Sequence, residues 1–354
     1  MAQENPVAND INTTTQTTTA AQPIAPTVAA STQQQPTPRP VTQGGTPTRV
    51  VATAPGVRSP AAQAAPPRAT GSVPVSPGPV IQRPSFVIKS AKASYQYLNL
   101  LIYGDFGVGK TSLAASAQDV LTMQDTIFID VESGGRVIDD REDIDTVGIN
   151  AFQQFARVYE FLRMHCKARD ANDIDQMIKL ESYFKTRDPK QPYIVTEPKR
   201  YKTVIVDSLT EVQKYCMYQL LGVKVGEFAL DMEPENPQYS EWGKSTEMIR
   251  LLVRSFRNLD MNTIFVCSRL EDQDERKRFF YAPALPGKLS NEVQGFFDAV
   301  GYYYSGVAID GGQVNRRLYL SPGQTFKAKN RFSKWNGTYL DNPTMSDIYK
   351  LSQL

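Results

Sequence analysis

Apolar residues from Tyr97 onwards fall either in short continuous runs or in longer stretches with helical spacing. The short runs predict buried strands at 97–103, 126–131, 203–207, 262–268, 278–282, 298–304 and 315–320. The longer stretches predict helices at 110–120, 151–167, 173–186, 208–221, 243–259 and 290–297. The clearest helix is 243–259, because Ile249, Leu252 and Phe256 recur at steps of three and four and form one apolar face.

The order of these elements predicts the fold class. The early strands are short, strongly apolar and separated by helices, which is typical of an α/β domain with a mostly parallel sheet and helices on both faces. The last strands are closer together and predict an antiparallel extension of that sheet. Residues 168–200 are polar and are interpreted as an insertion, and residues 223–241 as a long loop rich in acids and proline.

Composition divides the chain into two parts. Residues 1–85 contain no Lys, Tyr, Trp or Phe but hold 15 of the 24 prolines. Such a segment buries too little apolar surface to offset the entropy of ordering it, so we predict a disordered tail at 1–85 and one globular domain at 86–354. The tail carries five Arg and two acids, and the domain carries 34 basic and 35 acidic residues. A domain that is basic over its whole surface is therefore excluded, and any nucleic-acid contact requires a local patch.

Cysteine and histidine give no sign of a metal site. Cys166, Cys216 and Cys267 lie far apart in apolar patterns, and His165 is the one histidine, within a helical run. Buried thiols in a reducing compartment explain this pattern better than a metal centre does. No stretch approaches the length of a membrane span, and no secretory signal is present, so we expect a cytoplasmic protein without a membrane partner.

One motif carries most of the chemistry. Residues 104–111 fit G-x-x-x-x-G-K-[ST], between an apolar run and a helical pattern. In this arrangement backbone N–H groups surround phosphate oxygens, Lys110 reaches the β- and γ-phosphates, and Thr111 holds Mg²⁺. We therefore expect ATP and Mg²⁺ as ligands. The predicted nucleotide contacts in this segment are Gly104, Asp105, Phe106, Gly107, Val108, Gly109, Lys110, Thr111 and Ser112.

Two carboxylates follow later apolar runs. Asp207 ends the run 202–207, where an acid in P-loop enzymes holds Mg²⁺ through water; a helix N-cap is the alternative interpretation. Glu132 follows the run 127–131, and neighbouring parallel strands end on the same edge of a sheet. Glu132 is therefore the candidate general base, with a solvated loop carboxylate as the alternative.

Two further positions suit charge or phosphate recognition. Ser268 and Arg269 follow the run 261–267. Either Ser268 or Arg269 is a candidate sensor of the γ-phosphate, with an ordinary strand end as the alternative. Lys329 and Arg331 lie on a predicted short loop beyond the sheet core. A Lys-x-Arg pair of this kind suits a charge donor that reaches a neighbouring subunit's site, although a charged surface turn has the same appearance.

Together these segments resemble RecA-like ATPases. Phe128-Ile-Asp-Val-Glu132 is similar to the strand that carries the catalytic Glu, Val204-Ile-Val-Asp207-Ser208 resembles the Walker B strand, and Lys329-Asn-Arg-Phe332 resembles the Lys-x-Arg fingers of RadA and DnaB-type helicases. Gly109-Lys-Thr-Ser-Leu-Ala114, Asp207-Ser-Leu-Thr-Glu211, Trp242-Gly243 before the long helix, and Leu285-Pro-Gly-Lys288 are similar to phage-encoded AAA-type RecA-like ATPases, a group that includes single-strand annealing proteins.

This resemblance implies a role in DNA recombination, single-strand annealing or replication, in a host cytoplasm. It implies assembly into rings or filaments with active sites between subunits, Lys110, Glu132, Lys329 and Arg331 in catalysis, and single-stranded DNA as a partner. The tail is a candidate for recruiting a single-strand-binding protein, and a solubilising tail is an equal alternative.

Other functions stay open from the residues. Residues 269–278, at the place of a RecA DNA-binding loop, carry four charges of each sign, and 223–241 is acidic. A nucleotide-gated scaffold or loader with little turnover and no direct DNA contact is therefore the main alternative. A small-molecule kinase is a third, but it leaves Lys329 and Arg331 without a role.

Overall fold

The computed structural model describes residues 96–223, 236–306, 314–333 and 335–353. The predicted tail at 1–85 lies outside the described residues, and so do positions 224–235 of the predicted loop at 223–241. Within the described part, no helix has both the length and the apolar character needed to cross a bilayer.

The described residues form ten strands and seven α-helices, besides short 3₁₀ turns. The strands are β1 (Asn99–Gly104), β2 (Thr126–Asp130), β3 (Asp145–Gly148), β4 (Thr203–Asp207), β5 (Asn262–Gln273), β6 (Phe279–Pro283), β7 (Ala299–Ser305), β8 (Arg316–Tyr319), β9 (Lys329–Asn330) and β10 (Tyr339–Asp341). The α-helices are α1 (Lys110–Ala115), α2 (Gln154–Asp170), α3 (Ile174–Lys185), α4 (Leu209–Leu220), α5 (Tyr239–Arg257), α6 (Leu289–Glu292) and α7 (Met345–Gln353).

The sheet has the strand order β10-β8-β7-β1-β5-β4-β2-β3, with β6 paired to β5 and β9 paired to β7. The six strands from β7 to β3 in this order run parallel. Strands β6, β8, β9 and β10 pair antiparallel. The predicted antiparallel extension is confirmed.

Helices cover both faces of this sheet because successive strand residues point to opposite sides. In β1, Leu101 and Tyr103 pack in a buried cluster with residues of α2, α4 and α5. Leu100 and Ile102 pack on the other face with residues of α1 and α7. The predicted α/β class, a mostly parallel sheet with helices on both faces, is confirmed.

Several predicted boundaries are wrong in detail. The helix predicted at 110–120 ends at Ala115 and continues as a 3₁₀ turn to Asp119. The helix predicted at 243–259 begins at Tyr239, so Trp242 and Gly243 lie inside it and the predicted loop at 223–241 is shorter. The helix predicted at 290–297 is α6 followed by a 3₁₀ turn at 293–296. The strand predicted at 262–268 continues to Gln273, since it forms a hairpin with β6.

Candidate nucleotide-binding site

The predicted phosphate-binding loop joins β1 to α1 at the carboxyl end of the parallel strands. Gly107 and Gly109 have φ of 73° and 92°, in the left-handed region that favours glycine. Gly104 meets a different constraint, because a Cβ added there would lie 2.1 Å from the main-chain oxygen of Tyr303 in β7. The two later glycines allow the loop to turn, and Gly104 allows β7 to approach its start.

Lys110, the first residue of α1, is folded back across the loop. Its ammonium donates to the carbonyl oxygens of Gly104 at 3.1 Å and Asp105 at 2.7 Å. Burial lowers the pKa of Lys110, while the charges of Asp207 and Glu132 oppose that shift. A partly buried ammonium that is bound to carbonyl oxygens suits a bound anion as a further partner.

Thr111 and Asp207 are brought together at the end of β4. The Thr111 hydroxyl donates to Asp207 Oδ2 at 2.6 Å. Burial raises the pKa of the Asp207 carboxyl to about 6, the Thr111 hydrogen bond lowers it, and the Glu132 charge raises it. A hydroxyl and a desolvated carboxylate are the hard oxygen ligands that Mg²⁺ prefers, so this pair fits the metal predicted for the site.

Glu132 lies on the same edge of the sheet as Asp207. The Val131 N–H donates to the Asp207 carbonyl at 2.8 Å, which ties the segment after β2 to the end of β4. Asp130 accepts from the N–H groups of Gly134 and Gly135 at 3.2 Å each and so shapes the following turn. The Glu132 carboxylate itself accepts a hydrogen bond from the Ser208 hydroxyl.

Ser208 was not among the predicted site residues. It is the N-cap of α4, its hydroxyl accepting from the Glu211 N–H at 3.5 Å, and the Asp207–Ser208 peptide bond is cis. The alternative interpretation of Asp207 as the N-cap is therefore wrong. A serine one place after the strand-ending acid, before a helical pattern, was the available signal for the cap. Its contact with Glu132 depends on the neighbouring strand and has no signal in the local sequence.

The end of β5 lies directly beside the loop, since Ser268 pairs in register with Gly104. The Ser268 N–H donates to the Thr210 hydroxyl at 3.1 Å, and Ser268 is buried. The next residue, Arg269, pairs with the carboxylate of Asp105 and stacks on the ring of Tyr281 at 4.2 Å. Strand β5 is therefore bonded to the loop by side chains as well as by the ladder.

The remaining loop residues divide by exposure. Val108 is buried in the core on the α1 side, whereas Phe106 is 82% exposed. Ser112 is exposed in the first turn of α1. Of the predicted contacts, Phe106 is the large apolar side chain that the fold leaves uncovered.

Lys329 and Arg331 lie at the amino end of the parallel strands, whereas the phosphate-binding loop lies at their carboxyl end. Lys329 pairs with Val300 near the start of β7, whereas the loop-side residue of β7 in register with Gly104 is Tyr303. The Lys329 ammonium donates to the Gln294 carbonyl at 2.8 Å and the Phe297 carbonyl at 3.1 Å. The structure thus brings neither side chain to the loop of its own chain. The prediction of a loop beyond the sheet core is wrong at Lys329, which belongs to β9.

Arg331 is the more accessible of the two. Its guanidinium donates to the Gly295 carbonyl at 2.9 Å and lies 3.6 Å from the Asp298 carboxylate. Arg331 is exposed, so these contacts leave part of its guanidinium open to solvent.

The sequence model of the AAA domain family matches residues 96–332, more than half of the 354 residues. The chain belongs to the AAA domain family. Membership makes a nucleotide the expected ligand of the 104–111 loop in this AAA domain, usually with Mg²⁺. The residues that surround the loop fit both, as described above.

Solved structures with a similar chain path are distant in sequence. A KaiC-like protein of the archaeon Pyrococcus horikoshii is 14% identical, with a TM-score of 0.33 over 70% of this chain and 90% of that one. The RadB recombinase is 13% identical, with a TM-score of 0.33 over 69% and 86%. The flagellar accessory protein FlaH of Methanocaldococcus jannaschii is 9% identical, with a TM-score of 0.28 over 69% and 84%. No curated protein matches the sequence. Similarities at this level say nothing about what this AAA domain binds or does.

Proposed function

We propose that this AAA domain binds and hydrolyses ATP with Mg²⁺, in self-assembled rings or filaments that act in DNA recombination, single-strand annealing or replication. One observation carries the proposal. Lys110, Thr111, Asp207 and Glu132 come from three separate strand ends, and the fold brings all of them to one edge of the sheet.

The roles in binding follow from position. The left-handed Gly107 and Gly109 let the N–H groups of the loop turn toward phosphate oxygens. Lys110 exchanges its carbonyl partners for the β- and γ-phosphates. Thr111 and Asp207 hold Mg²⁺, which when bound neutralises charge that develops on the transferred phosphoryl group.

The proposed base is Glu132. Its carboxylate lies next to Asp207 and is oriented by the Ser208 hydroxyl. From there it accepts the proton of the attacking water, which is the task of a general base in phosphoryl transfer. Ser268 is the proposed phosphate sensor, because it is in register with Gly104 at the base of the loop.

The placement of Lys329 and Arg331 supports the proposed self-assembly. Both lie at the amino end of the parallel strands, away from their own loop, so they can act on a phosphate only in another subunit. In such an assembly, Arg331 exchanges its contacts with Gly295 and Asp298 for the γ-phosphate of the neighbour. The proposed homo-oligomer therefore has its active sites between subunits.

The DNA partner is proposed from the resemblance to phage-encoded RecA-like ATPases, as are the host cytoplasm and the recruitment of a single-strand-binding protein by residues 1–85. The β5–β6 hairpin gives the scaffold or loader alternative its support. Arg278 at its tip is neutralised by Asp274 at 2.7 Å, and acids accompany its other basic residues. Single strands bind best to a basic groove with aromatic side chains, and this tip is not one.

The test is ATP hydrolysis by the full chain with and without single-stranded DNA, in wild type, Lys110→Ala and the exposed-lysine control Lys167→Ala. Hydrolysis that Lys110→Ala abolishes, that Lys167→Ala retains and that DNA stimulates supports the proposal. ATP binding with little turnover and no response to DNA supports the scaffold or loader instead. Equal ATP affinity and turnover in wild type and Lys110→Ala would overturn the nucleotide assignment.

A further inference from the structure

An arginine far from the motif in sequence lies against the phosphate-binding loop of its own chain. Arg316, the first residue of β8, approaches Gly109 so closely that a Cβ on this glycine would be 3.3 Å from Arg316 Nε and 3.6 Å from Cζ. Its alternate neighbour in β8, Leu318, is buried in the core on the α1 side of the sheet. Arg316 therefore points to the face on which the loop turns into α1.

The backbone of Arg316 is held firmly at this place. Its N–H donates to the Asn342 side-chain oxygen at 2.9 Å, and its carbonyl accepts from the Asn342 N–H at 2.6 Å. It also pairs in register with Ser305 at the end of β7. Strand register thus places the Arg316 backbone beside the loop, and its exposed side chain extends from there to Gly109.

The charges around the loop differ in how they are balanced. Arg269 pairs with Asp105, and Arg317 pairs with Asp341 at 2.9 Å while it stacks on Tyr339 at 4.6 Å. Arg316, by contrast, has no carboxylate within ion-pair distance among the described residues. Among the described residues, Lys110 is the second cation at this loop without a carboxylate partner, and it is bound to carbonyl oxygens. Two cations at one glycine loop favour a ligand with several negative charges.

We propose that Arg316 is a phosphate ligand that acts in cis, on the part of the nucleotide shared by ADP and ATP. The inference rests on the proposed nucleotide site. The strand order places the Mg²⁺ pair, Thr111 and Asp207, on the β4 side of β1, and Arg316 on the β8 side. Glu132, the proposed base for attack at the γ-phosphate, follows β2 on the same side as Asp207, so Arg316 on the opposite side faces the end of the phosphate chain that would carry the nucleoside.

This position defines what Arg316 contributes. A group that contacts the phosphate next to the nucleoside, away from the bond that breaks, binds ground state and transition state equally, so its loss weakens affinity without slowing the chemical step. Arg331 has the opposite proposed role, since a charge donated to the γ-phosphate acts during turnover. The two arginines are therefore separable by kinetics.

The experiment compares Arg316→Gln, Arg316→Lys and the matched control Arg317→Gln in the full chain. ADP and ATP affinities are measured by calorimetry with Mg²⁺, and turnover is measured at saturating ATP. A charge-assisted hydrogen bond corresponds to about 10- to 100-fold in affinity, so Arg316→Gln should weaken ADP and ATP binding by that factor while turnover stays within about threefold. Arg316→Lys should lose less affinity for both nucleotides than Arg316→Gln does, because lysine keeps the positive charge but lacks the planar guanidinium. Arg317→Gln should bind both nucleotides as wild type does.

Equal nucleotide affinities in Arg316→Gln and Arg317→Gln would overturn the inference. A loss of affinity for ATP alone would also overturn it, because that places Arg316 at the γ-phosphate.

If wild type binds no nucleotide, the proposed function fails and the inference fails with it. If wild type binds nucleotide and Lys110→Ala does not, the nucleotide site is supported, and the affinities of Arg316→Gln and Arg316→Lys then test the role of Arg316. Thermal unfolding checks that each variant folds; should Arg316→Gln not fold, wild-type affinity in Arg316→Lys would overturn the inference.

Discussion

At the scale of single residues, the candidate site depends on pairs that form across strand ends. Thr111 meets Asp207, and Ser208 meets Glu132. Each pair joins a residue after one strand to a residue after another, so a change at one member alters the environment of its partner. Two substitutions test these pairs.

The first substitution concerns the proposed base. Glu132→Gln keeps the size of the side chain and its contact with Ser208 but removes the proton acceptor. We expect ATP to bind with unchanged affinity while turnover falls roughly 10²-fold or more, the usual scale for a general base. Steady-state hydrolysis and calorimetric binding measure the two quantities.

The control for Glu132 is Glu142→Gln, an exposed acid in the loop after β2, which should hydrolyse ATP as wild type does. Normal turnover in Glu132→Gln would assign the base to another carboxylate. Glu211, in the first turn of α4, would be the first to test.

The second substitution concerns the stability cost of Asp207. Burial raises the pKa of this carboxyl from 3.8 to about 6, so the unfolded chain gives up the proton at lower pH than the folded chain does. Stability is therefore lost as pH rises through this window, and the full cost, about 3 kcal/mol, is present above pH 6. Asp207→Asn removes the charge while its side-chain oxygen still accepts from Thr111.

In urea unfolding without nucleotide or Mg²⁺, Asp207→Asn should be more stable than wild type by about 2–3 kcal/mol at pH 7.5. The difference should shrink as the pH falls toward 4. It should come with a loss of Mg²⁺-dependent hydrolysis, because the metal loses a ligand. A variant that is less stable than wild type at pH 7.5 would show that the Asp207 charge stabilises the fold.

The candidate site could be predicted in part from local sequence. The loop glycines, Lys110, Thr111, Asp207 and Glu132 belong to motifs of a few residues, and the fold brings them together as the order of strands predicts. Ser208 and Arg316 were missed because their contacts depend on register between strands that are distant in sequence. Local spacing carries no information on such register.

At the scale of elements, two glycines give a matched test, because a Cβ would be crowded at one position and unobstructed at the other. Gly104 ends β1 where β7 approaches, and a Cβ there would lie 2.1 Å from a main-chain oxygen. Gly243 lies inside α5, where a Cβ meets no atom within 4 Å. The same substitution should therefore act in opposite directions at the two positions.

Gly104→Ala should lower the free energy of unfolding by about 1–3 kcal/mol or more, since a backbone atom has to move. Gly243→Ala should raise it by about 0.5–1 kcal/mol, because alanine costs less entropy in a helix. Urea unfolding of both variants against wild type measures the two changes. A stable Gly104→Ala would mean that β1 and β7 are spaced more widely than described.

Which elements were predictable depended on how strongly their apolar pattern was marked. The central strands were predicted because both of their faces are buried, which produces continuous apolar runs. Strand β3 was missed because its residues, Asp145–Gly148, alternate between half-buried and exposed at the sheet edge. Strands β9 and β10 have two and three residues, too short for any periodicity. Helix α7 was missed although Met345 and Ile348 are spaced for one buried face.

At the scale of the whole molecule, the proposed assembly has a direct test. Arg331→Ala should bind ATP almost normally and hydrolyse it far more slowly, by about 10³- to 10⁵-fold if it is a typical arginine finger. Mixing Arg331→Ala with Glu132→Gln creates interfaces at which an intact Glu132 of one subunit meets an intact Arg331 of the next. Partial activity should return in the mixture.

The control for mixing is each variant alone at the same total concentration. Hetero-assemblies are verified by co-purification of differently tagged chains. If they form and hydrolysis does not return, Arg331 does not act on a neighbour's site, and the site between subunits has to be abandoned.

The strand order also determines how late in synthesis the site can form. Strand β1 carries the loop signature early in the chain, yet its two neighbours in the sheet are β5 and β7, which begin at Asn262 and Ala299. Helix α7, at 345–353, then packs on the same face as α1. During synthesis, the ribosome releases the motif long before the strands that hold it in place. A nascent or truncated chain that ends before β7 would carry every residue of the motif and still have no formed site.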